Sequence, residues 1–453
     1  MGKGFSGVFL PIEVLHRELV SKSLLAARLA AMKIPVYIGH KADIFKLASD
    51  AEHPGILFNK SVGYKNNREL YKSLWDKGFR IAAQDEESGI VFSNYRDFYE
   101  RRPSLNDIGI LDKWFCWGKD EFDFLKNNLE IPEEKLEISG SPRTILWRRD
   151  FAEIFWKPEI TLMTEKVTDY ILIVTNSVLK NSFLTDKMLV ENFKNELSQQ
   201  STRQKIFYEK LKFESESDEL LIKLIQGILK NSSYNIVLKT HPAENPKPWH
   251  DIFRFEKRVR IISTGPVSPW ILSARAVLHN GSTSALEAFS LGKPIICYLT
   301  PERRVRPYSK DVPIALSHCI VQNEYELLEF LGKFDYKPYN WEKSHILETK
   351  ISYLDSTSSL DIISRCVSDL SPFDGNYNLL EKFERQSSLS KIKAFLSQTR
   401  LFLPQKQIIM NRYKRPKVGS EYITEIIKRA SSFAEPENEY KIERIRKNVF
   451  KIY

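Results

Sequence analysis

Short apolar runs alternating with segments of helical period dominate the first 150 residues. Gly7-Val-Phe-Leu-Pro-Ile12, Val36-Tyr-Ile38, Gly55-Ile-Leu-Phe58, Arg80-Ile-Ala-Ala83 and Trp114-Phe-Cys-Trp117 are of strand length, whereas Ser23–Met32 and Asn67–Lys77 space their apolar residues as helices do. Such alternation predicts βαβ units and a parallel sheet. A polar, aromatic-containing segment from about 148 to 168 interrupts the rhythm. The rhythm restarts at Tyr170-Ile-Leu-Ile-Val174 and continues through Ile236-Val-Leu238, Val259-Arg-Ile-Ile262, Ala276-Val-Leu278 and Pro294-Ile-Ile-Cys-Tyr298. Residues 183–230, mostly polar, carry helical spacing, and 356–370 reads as a closing helix. The expectation is an α/β protein with two Rossmann-like domains, 1–150 and 170–372, joined by a linker over 151–169. Residues 373–453 are expected to form a basic helical extension, with an amphipathic pattern at Leu379, Leu380, Phe383, Leu389, Ile392, Phe395 and Leu396 and a basic stretch Arg412-Tyr-Lys-Arg-Pro-Lys417.

A chain of 453 residues, 42% hydrophobic, buries a sizeable core and favours two or three domains. Its apolar runs are strand-sized, far short of the roughly 20 residues of a spanning helix, and no signal-peptide pattern opens it. Met1-Gly-Lys-Gly-Phe-Ser6 fits the N-myristoylation pattern, which is short enough to arise by chance. The four cysteines (116, 297, 319, 366) lack Cys-x-x-Cys spacing, as in a protein of the reducing cytosol, and neither a metal nor a cofactor is expected. Formal charge is +10, but residues 401–453 hold twelve basic and six acidic residues and so carry +6 of it, leaving the body mildly basic. Nucleic acid is therefore not expected as a partner. The tail has two readings, a solvated helical appendage and a foot on anionic lipid.

Two motifs carry candidate chemistry in the second half. Lys239-Thr-His-Pro-Ala-Glu244 follows one apolar run, and Asn280-Gly-Ser-Thr-Ser-Ala-Leu-Glu287 follows another, so both fall at strand carboxyl ends, where open α/β sheets bind ligands. Ser282, Thr283 and Ser284 would open a helix whose N-terminal N–H groups suit a phosphate. His241, beside Pro242, would add a donor to it, and Glu244 and Glu287 would complete the nucleotide contacts. Taken singly each motif has a plain alternative: His53-Pro54 is a second His-Pro, and hydroxyls before a helix are commonly N-caps.

In the first half, Gln84-Asp-Glu-Glu-Ser-Gly89 places Asp85, Glu86 and Glu87 directly after a strand. A carboxylate there can act as general base if burial or like-charge neighbours raise its pKa; otherwise the run is a solvated loop. Glu13, Arg17 and Arg143 add polar groups for a substrate, with an Arg17–Glu18 surface ion pair as the plain alternative. Gly2-Lys-Gly-Phe-Ser-Gly7 spells the dinucleotide fingerprint but precedes its strand, and no Walker P-loop is present.

The chain resembles bacterial surface-carbohydrate biosynthesis proteins, similar in motif pattern to CMP-sialic acid, polysialic acid and CMP-Kdo transferases of the GT-B fold. The matching residues are Leu10-Pro-Ile-Glu-Val14 with Arg17-Glu-Leu19, Asp85-Glu-Glu87, Gly140-Ser-Pro-Arg143, His241-Pro-Ala-Glu244, and Ser282-Thr-Ser284 with Glu287. The resemblance implies two Rossmann-like domains with parallel sheets facing a cleft. It also implies transfer of a nonulosonic acid from a CMP-activated donor to a saccharide hydroxyl. The segment after about 373 lies outside the resemblance, and a peripheral position on the inner face of the membrane is expected from its charge and amphipathic pattern alone. It places Glu86 and Glu87 at the catalytic acidic pair and His241, Ser282 and Thr283 on CMP. In the family that pair runs straight into glycine, whereas here Ser88 precedes Gly89. Two other readings stand. A polyol-phosphate (CDP-glycerol type) transferase shares Lys-x-His-Pro, but none of the eight histidines here precedes glycine as its N-terminal element requires. A non-catalytic polysaccharide-assembly protein would account for Ser88.

Overall fold

The computed structural model describes residues 5–60, 68–90, 95–100, 110–184, 201–299, 311–333, 345–354, 356–370, 419–446 and 448–453. The chain forms two compact units, the first from Met1–Ile145, Leu347–Ile408 and Arg415–Tyr453, the second from Leu146–Ile346 and Ile409–Lys414. Each is built on a sheet flanked by helices, so the expected α/β class with two Rossmann-like domains is observed.

Unit 1 begins with β1 (Val8–Ile12), β2 (Val36–His40), β3 (Ile56–Asn59), β4 (Arg80–Ala83), β5 (Lys113–Cys116) and β6 (Leu136–Ile138), all paired in parallel in the order β2-β1-β3-β4-β5-β6. Unit 2 holds β7 (Tyr170–Val174), β8 (Asn235–Lys239), β9 (Val259–Ile262), β10 (Ala276–His279), β11 (Ile295–Tyr298) and β12 (Cys319–Val321). Its order is β12-β11-β10-β7-β8-β9, again wholly parallel. The chain moves outward from β7 on one side and then returns to its other side at β10, which makes the β7/β10 boundary the topological switch point.

Ile171, Ile173, Ile236, Leu238, Ala276 and Leu278 of unit 2 pack with Leu221, Leu224, Ile225 and Ile228 of helix Ser201–Asn231. Their strand neighbours Leu172, Val237 and Val277 point to the opposite face and are buried as well. Both faces are covered, so these strands appear in the sequence as continuous apolar runs and not as alternations.

The domain boundaries differ from expectation at three places. The 151–169 linker is largely helical: Arg149–Phe155 and Lys157–Thr164 bury Phe155 and Trp156, and the second helix packs on helix Ser268–Ser273 of unit 2. The segment from Leu347 onward joins unit 1: Lys350 Nζ meets Asp120 at 3.0 Å, and the Ser352 N–H donates to the Trp117 carbonyl at 2.8 Å. Residues 419–453, expected as a helical appendage, are built into unit 1. Helix Ser420–Ala434 buries Ile426, Ile427 and Ala430 and packs on helix Leu15–Ala31. It is followed by β13 (Ile442–Arg446) and β14 (Val449–Ile452), and β14 pairs antiparallel with β2. An exposed row of N–H and C=O groups along β2 is thereby closed. The patterns at 379–396 and 412–417, on which the lipid expectation rests, lie outside the described residues, as does the start of the myristoylation pattern. Among the described residues no helix is long and apolar enough to cross a membrane.

Candidate active site

In unit 1 the carboxyl ends of β1 and β4 gather the acids. Past Ile12 the chain turns into helix Leu15–Ala31, and Glu18 fixes that corner by accepting the backbone N–H groups of Glu13 at 2.9 Å and Val14 at 3.1 Å. The carboxylate also sits favourably at the positive end of the helix. The plain alternative, an Arg17–Glu18 surface pair, does not form. Glu18 is wholly buried and pairs at 3.1 Å with Lys22, one turn on, while Arg17 pairs with Glu87. Lys22, also buried, donates to the Pro11 carbonyl and lies 3.7 Å from Glu86.

The three expected catalytic acids occupy unlike surroundings. Asp85 is buried and structural in its contacts, its Oδ1 accepting the Glu87 N–H at 2.8 Å and its carbonyl accepting Trp117 Nε1–H at 2.6 Å. Glu87 is 36% exposed in its ion pair with Arg17. Glu86 is buried, and its pKa lies above the ordinary carboxylate value. Burial is the main cause and repulsion from Glu18 adds to it, while Lys22, Arg143 and Lys60 pull the other way without overcoming them. For Glu18 the balance reverses. Burial opposes its charge, but Lys22, Lys60 and the two backbone donors hold its pKa below the ordinary value.

Of the expected substrate groups, Glu13 meets Lys41 at 3.5 Å, and Arg143 Nη1 donates to the Glu86 carbonyl at 2.9 Å, steadying the acidic loop. Lys22 and Lys60 belong to the cluster and were not singled out from the sequence. Lys22 had a signal, since it stands four residues after Glu18 on a helix. Lys60, whose pKa burial lowers and Glu87, Glu13, Glu18 and Asp85 raise more strongly, had none.

Ser88 has its own role. Its hydroxyl donates at 2.8 Å to the wholly buried Glu121, which also accepts Trp114 Nε1–H at 3.2 Å, the Trp117 N–H at 2.7 Å and the Tyr99 hydroxyl. Gly89 is needed because a Cβ there would lie 2.1 Å from the Trp117 ring. The acid-to-glycine spacing therefore serves the packing of the loop, and the inserted serine is anchored without displacing an acid.

In unit 2 three loops meet the carboxyl rim around the switch point. His241 Nδ1 accepts the Ala243 N–H at 3.1 Å, which puts the ring proton of the neutral side chain on Nε2 as a donor. Pro242 beside it is exposed. Glu244, expected to contact the nucleotide, is instead buried within the fold. Its two oxygens accept Thr175 Oγ1–H at 2.6 Å, Asn181 Nδ2–H at 3.0 Å, Trp249 Nε1–H at 2.7 Å and, at 3.4 Å, the His241 N–H. That carboxylate locks the loop after β8 to the loop after β7 and is spent in doing so. Glu214 and Asp218, one turn apart on helix Ser201–Asn231, hold the same β7 loop through the Leu179 and Lys180 N–H groups and through Ser177 and Asn181. Burial pushes Asp218 up to about 7, with repulsion from Glu244 and Glu214 adding to it and the Ser177 and Asn181 donors opposing.

After β10, His279 sets the third loop. Its Nδ1 accepts the Gly281 N–H at 2.9 Å and its Nε2 meets Ser317 Oγ at 2.8 Å. Gly281 has φ +100°, a conformation that favours glycine. Ser282 follows, partly engaged as a cap because its hydroxyl accepts the Ser284 N–H at 3.4 Å; Thr283, at the N-cap position, makes no side-chain cap bond. Glu287 is buried and accepts the Ser268 hydroxyl, so its expected ribose contact has a competing partner within the fold. The structure thus brings His241, Ser282, Thr283 and Ser284 to one rim, and Asp85, Glu86, Glu87, Glu13, Arg17 and Arg143 to the other.

No protein-family model and no curated protein matches the chain. Solved structures are similar to it. One is the UDP-N-acetylglucosamine 2-epimerase of Rickettsia bellii, 15% identical over 72% of this chain and 76% of that one with a TM-score of 0.42. Another is the Methanocaldococcus jannaschii UDP-GlcNAc 2-epimerase in complex with UDP-GlcNAc and UDP, 14% identical over 80% and 99% with a TM-score of 0.46. A wall teichoic acid polymerase is 12% identical over 74% and 77% with a TM-score of 0.41. At these identities and TM-scores the likeness carries no argument, and a functional reading rests on the side chains.

Proposed function

We propose that the protein is a glycosyltransferase of surface-polysaccharide biosynthesis that moves a nonulosonic acid from a CMP-activated donor to a saccharide hydroxyl. Unit 2 binds the donor and unit 1 supplies the base. The observation that carries this reading is that His241 and Ser282–Ser284 follow β8 and β10, the two neighbours of β7 at the switch point, so both lie on the same carboxyl rim; His241 Nδ1 accepts the Ala243 N–H, so the neutral ring carries its proton on Nε2. In the reaction the bond from the anomeric carbon to the CMP phosphate oxygen breaks and a bond to the acceptor oxygen forms. The phosphate leaves with its charge met by the His241 donor, and the acceptor proton passes to Glu86. A carboxylate with a raised pKa is the better base, and Glu86 is one. The feature that favoured a non-catalytic scaffold, Ser88, has a structural partner in Glu121.

Calorimetry on the full chain tests the donor assignment. CMP is expected to bind more tightly than UMP, UDP or CDP-glycerol, and His241→Ala to weaken CMP by about 1.5–3 kcal/mol, the worth of a hydrogen bond to a charged group. Unchanged CMP affinity in His241→Ala refutes the phosphate role of the histidine. Tighter binding of CDP-glycerol than of CMP would transfer the protein to the polyol-phosphate class.

A further inference from the structure

β8 ends in Lys239, two residues before His241. Ile236 and Leu238 face the core shared with helix Ser201–Asn231, so Val237 and Lys239 face the other side of the sheet. Across the ladder Lys239 stands opposite Val174 of the central strand β7, and Val174 stands opposite His279 of β10. Lys239 is 6% exposed, and its ammonium has neither an ion pair nor a hydrogen bond among the described residues. Burial alone lowers its pKa to about 8. The other buried lysines are answered: Lys22 by Glu18, and Lys293 by the Ala274 carbonyl at 3.0 Å. At the same rim the Thr240 hydroxyl and the Asn280 Oδ1 are also buried without a partner among the described residues.

An ammonium taken out of water without a counter-charge is strongly unfavourable, and a methionine would fill the same space without that cost. The charge is explained if a ligand brings the missing anion. We infer that Lys239 is the counter-charge for the phosphoryl group of the nucleotide-activated donor, held at the carboxyl ends of β7, β8 and β10. This deepens, and rests on, the assignment of donor binding to unit 2. It divides the labour at the phosphate: His241 offers a neutral donor from the loop, and Lys239 offers the full charge from the strand.

Lys239→Met in the full chain tests it, with CMP, cytidine and inorganic phosphate as probes. CMP affinity is expected to fall roughly 10- to 100-fold, the worth of a charge-assisted hydrogen bond, with cytidine affinity unchanged. The ligand-free unfolding midpoint is expected to stay level or rise, since an unpaired charge has been removed. If the wild-type protein binds CMP and Lys239→Met binds it equally well, the counter-charge role is overturned. A lowered ligand-free midpoint overturns it too, because the lysine then has a partner inside the fold. If the wild-type protein binds no CMP, the donor reading has failed and inorganic phosphate alone decides the anion site. A phosphate-induced rise in midpoint that Lys239→Met abolishes upholds the site, and any other phosphate result overturns it.

Discussion

In unit 1 the buried carboxylates Glu18 and Glu86 lie among Lys22, Lys60 and Arg143, so each sign of charge is answered by the other. In unit 2 the buried carboxylates Glu214, Asp218 and Glu244 are answered mainly by neutral N–H and O–H donors, with Lys210 at 3.9 Å from Glu214, and the buried cation Lys239 meets no carboxylate among the described residues. The difference assigns work to each rim. A compensated cluster keeps a carboxylate buried and basic without unfolding the loop that holds it. An uncompensated cation beside rigid loops leaves a place for an anion. In the proposed reaction the first rim would serve proton transfer and the second phosphate binding.

The largest effect that would sharpen the contrast is chemical. Glu86→Gln preserves shape and removes the base, so turnover of a CMP-nonulosonate donor is expected to fall by roughly 10²–10⁴-fold while CMP binding is retained. Near-normal turnover in Asp85→Asn, Glu86→Gln and Glu87→Gln alike would reduce the acidic run to a structural loop.

Lysine-to-methionine changes should then differ in sign between the rims. Lys22→Met leaves Glu18 buried without its partner and is expected to cost about 3–5 kcal/mol of stability. Lys239→Met is expected to stabilise. The folded pKa of Lys239, about 8, lies below its unfolded value of about 10.4, so the penalty is fully present below about pH 8 and absent above the unfolded value. Its relief amounts to at most roughly 3 kcal/mol. Chemical unfolding of both variants at pH 7 and pH 10 reads the two signs, and equal signs would erase the contrast.

A third contrast depends on pH and concerns Asp218. Its folded pKa of about 7 exceeds the unfolded value near 3.9. The stability it contributes is therefore full below about pH 4 and is lost as pH rises to 7, on the order of a few kcal/mol. Glu121 in unit 1, also pushed up to about 7 by burial, slopes the same way, so the test is the difference between proteins. Asp218→Asn should flatten the fall in unfolding midpoint between pH 4 and 7 by its own share, and an unaltered slope would show that Asp218 titrates normally.

Much of this was legible in the chain. Tyr170–Val174 and Ile295–Tyr298 fall where their apolar runs predict strands, because a strand buried on both faces must be apolar throughout. The His241 and Ser282–Ser284 motifs fall at strand carboxyl ends for the same reason: the turn chemistry follows directly on the run. The role of Glu244 was not legible. As a sequence it is an acid in a binding motif, and two of its three side-chain donors, Thr175 and Asn181, come from the loop after β7, more than sixty residues away. The strands β6, β12, β13 and β14 were also missed. β6 and β12 are three residues each, and β13 and β14 mix charged and apolar residues without a strict alternation, in a tail whose charge suggested an appendage.

The sequence by itself determined the α/β class, the parallel strands and the positions of the two motif-bearing rims, since these depend on the local period of apolar residues and on the residues that follow each run. Tertiary structure alone decided which charges are answered. Lys22 and Lys239 are both lysines near a strand end, and one faces Glu18 while the other faces no carboxylate among the described residues. It also decided that residues 419–453 complete the first sheet, through the register of Ile452 on Val36 and Phe450 on Ile38. Contacts between residues hundreds of positions apart depend on how the chain closes in space, and no local pattern of hydrophobic and polar positions records that closure.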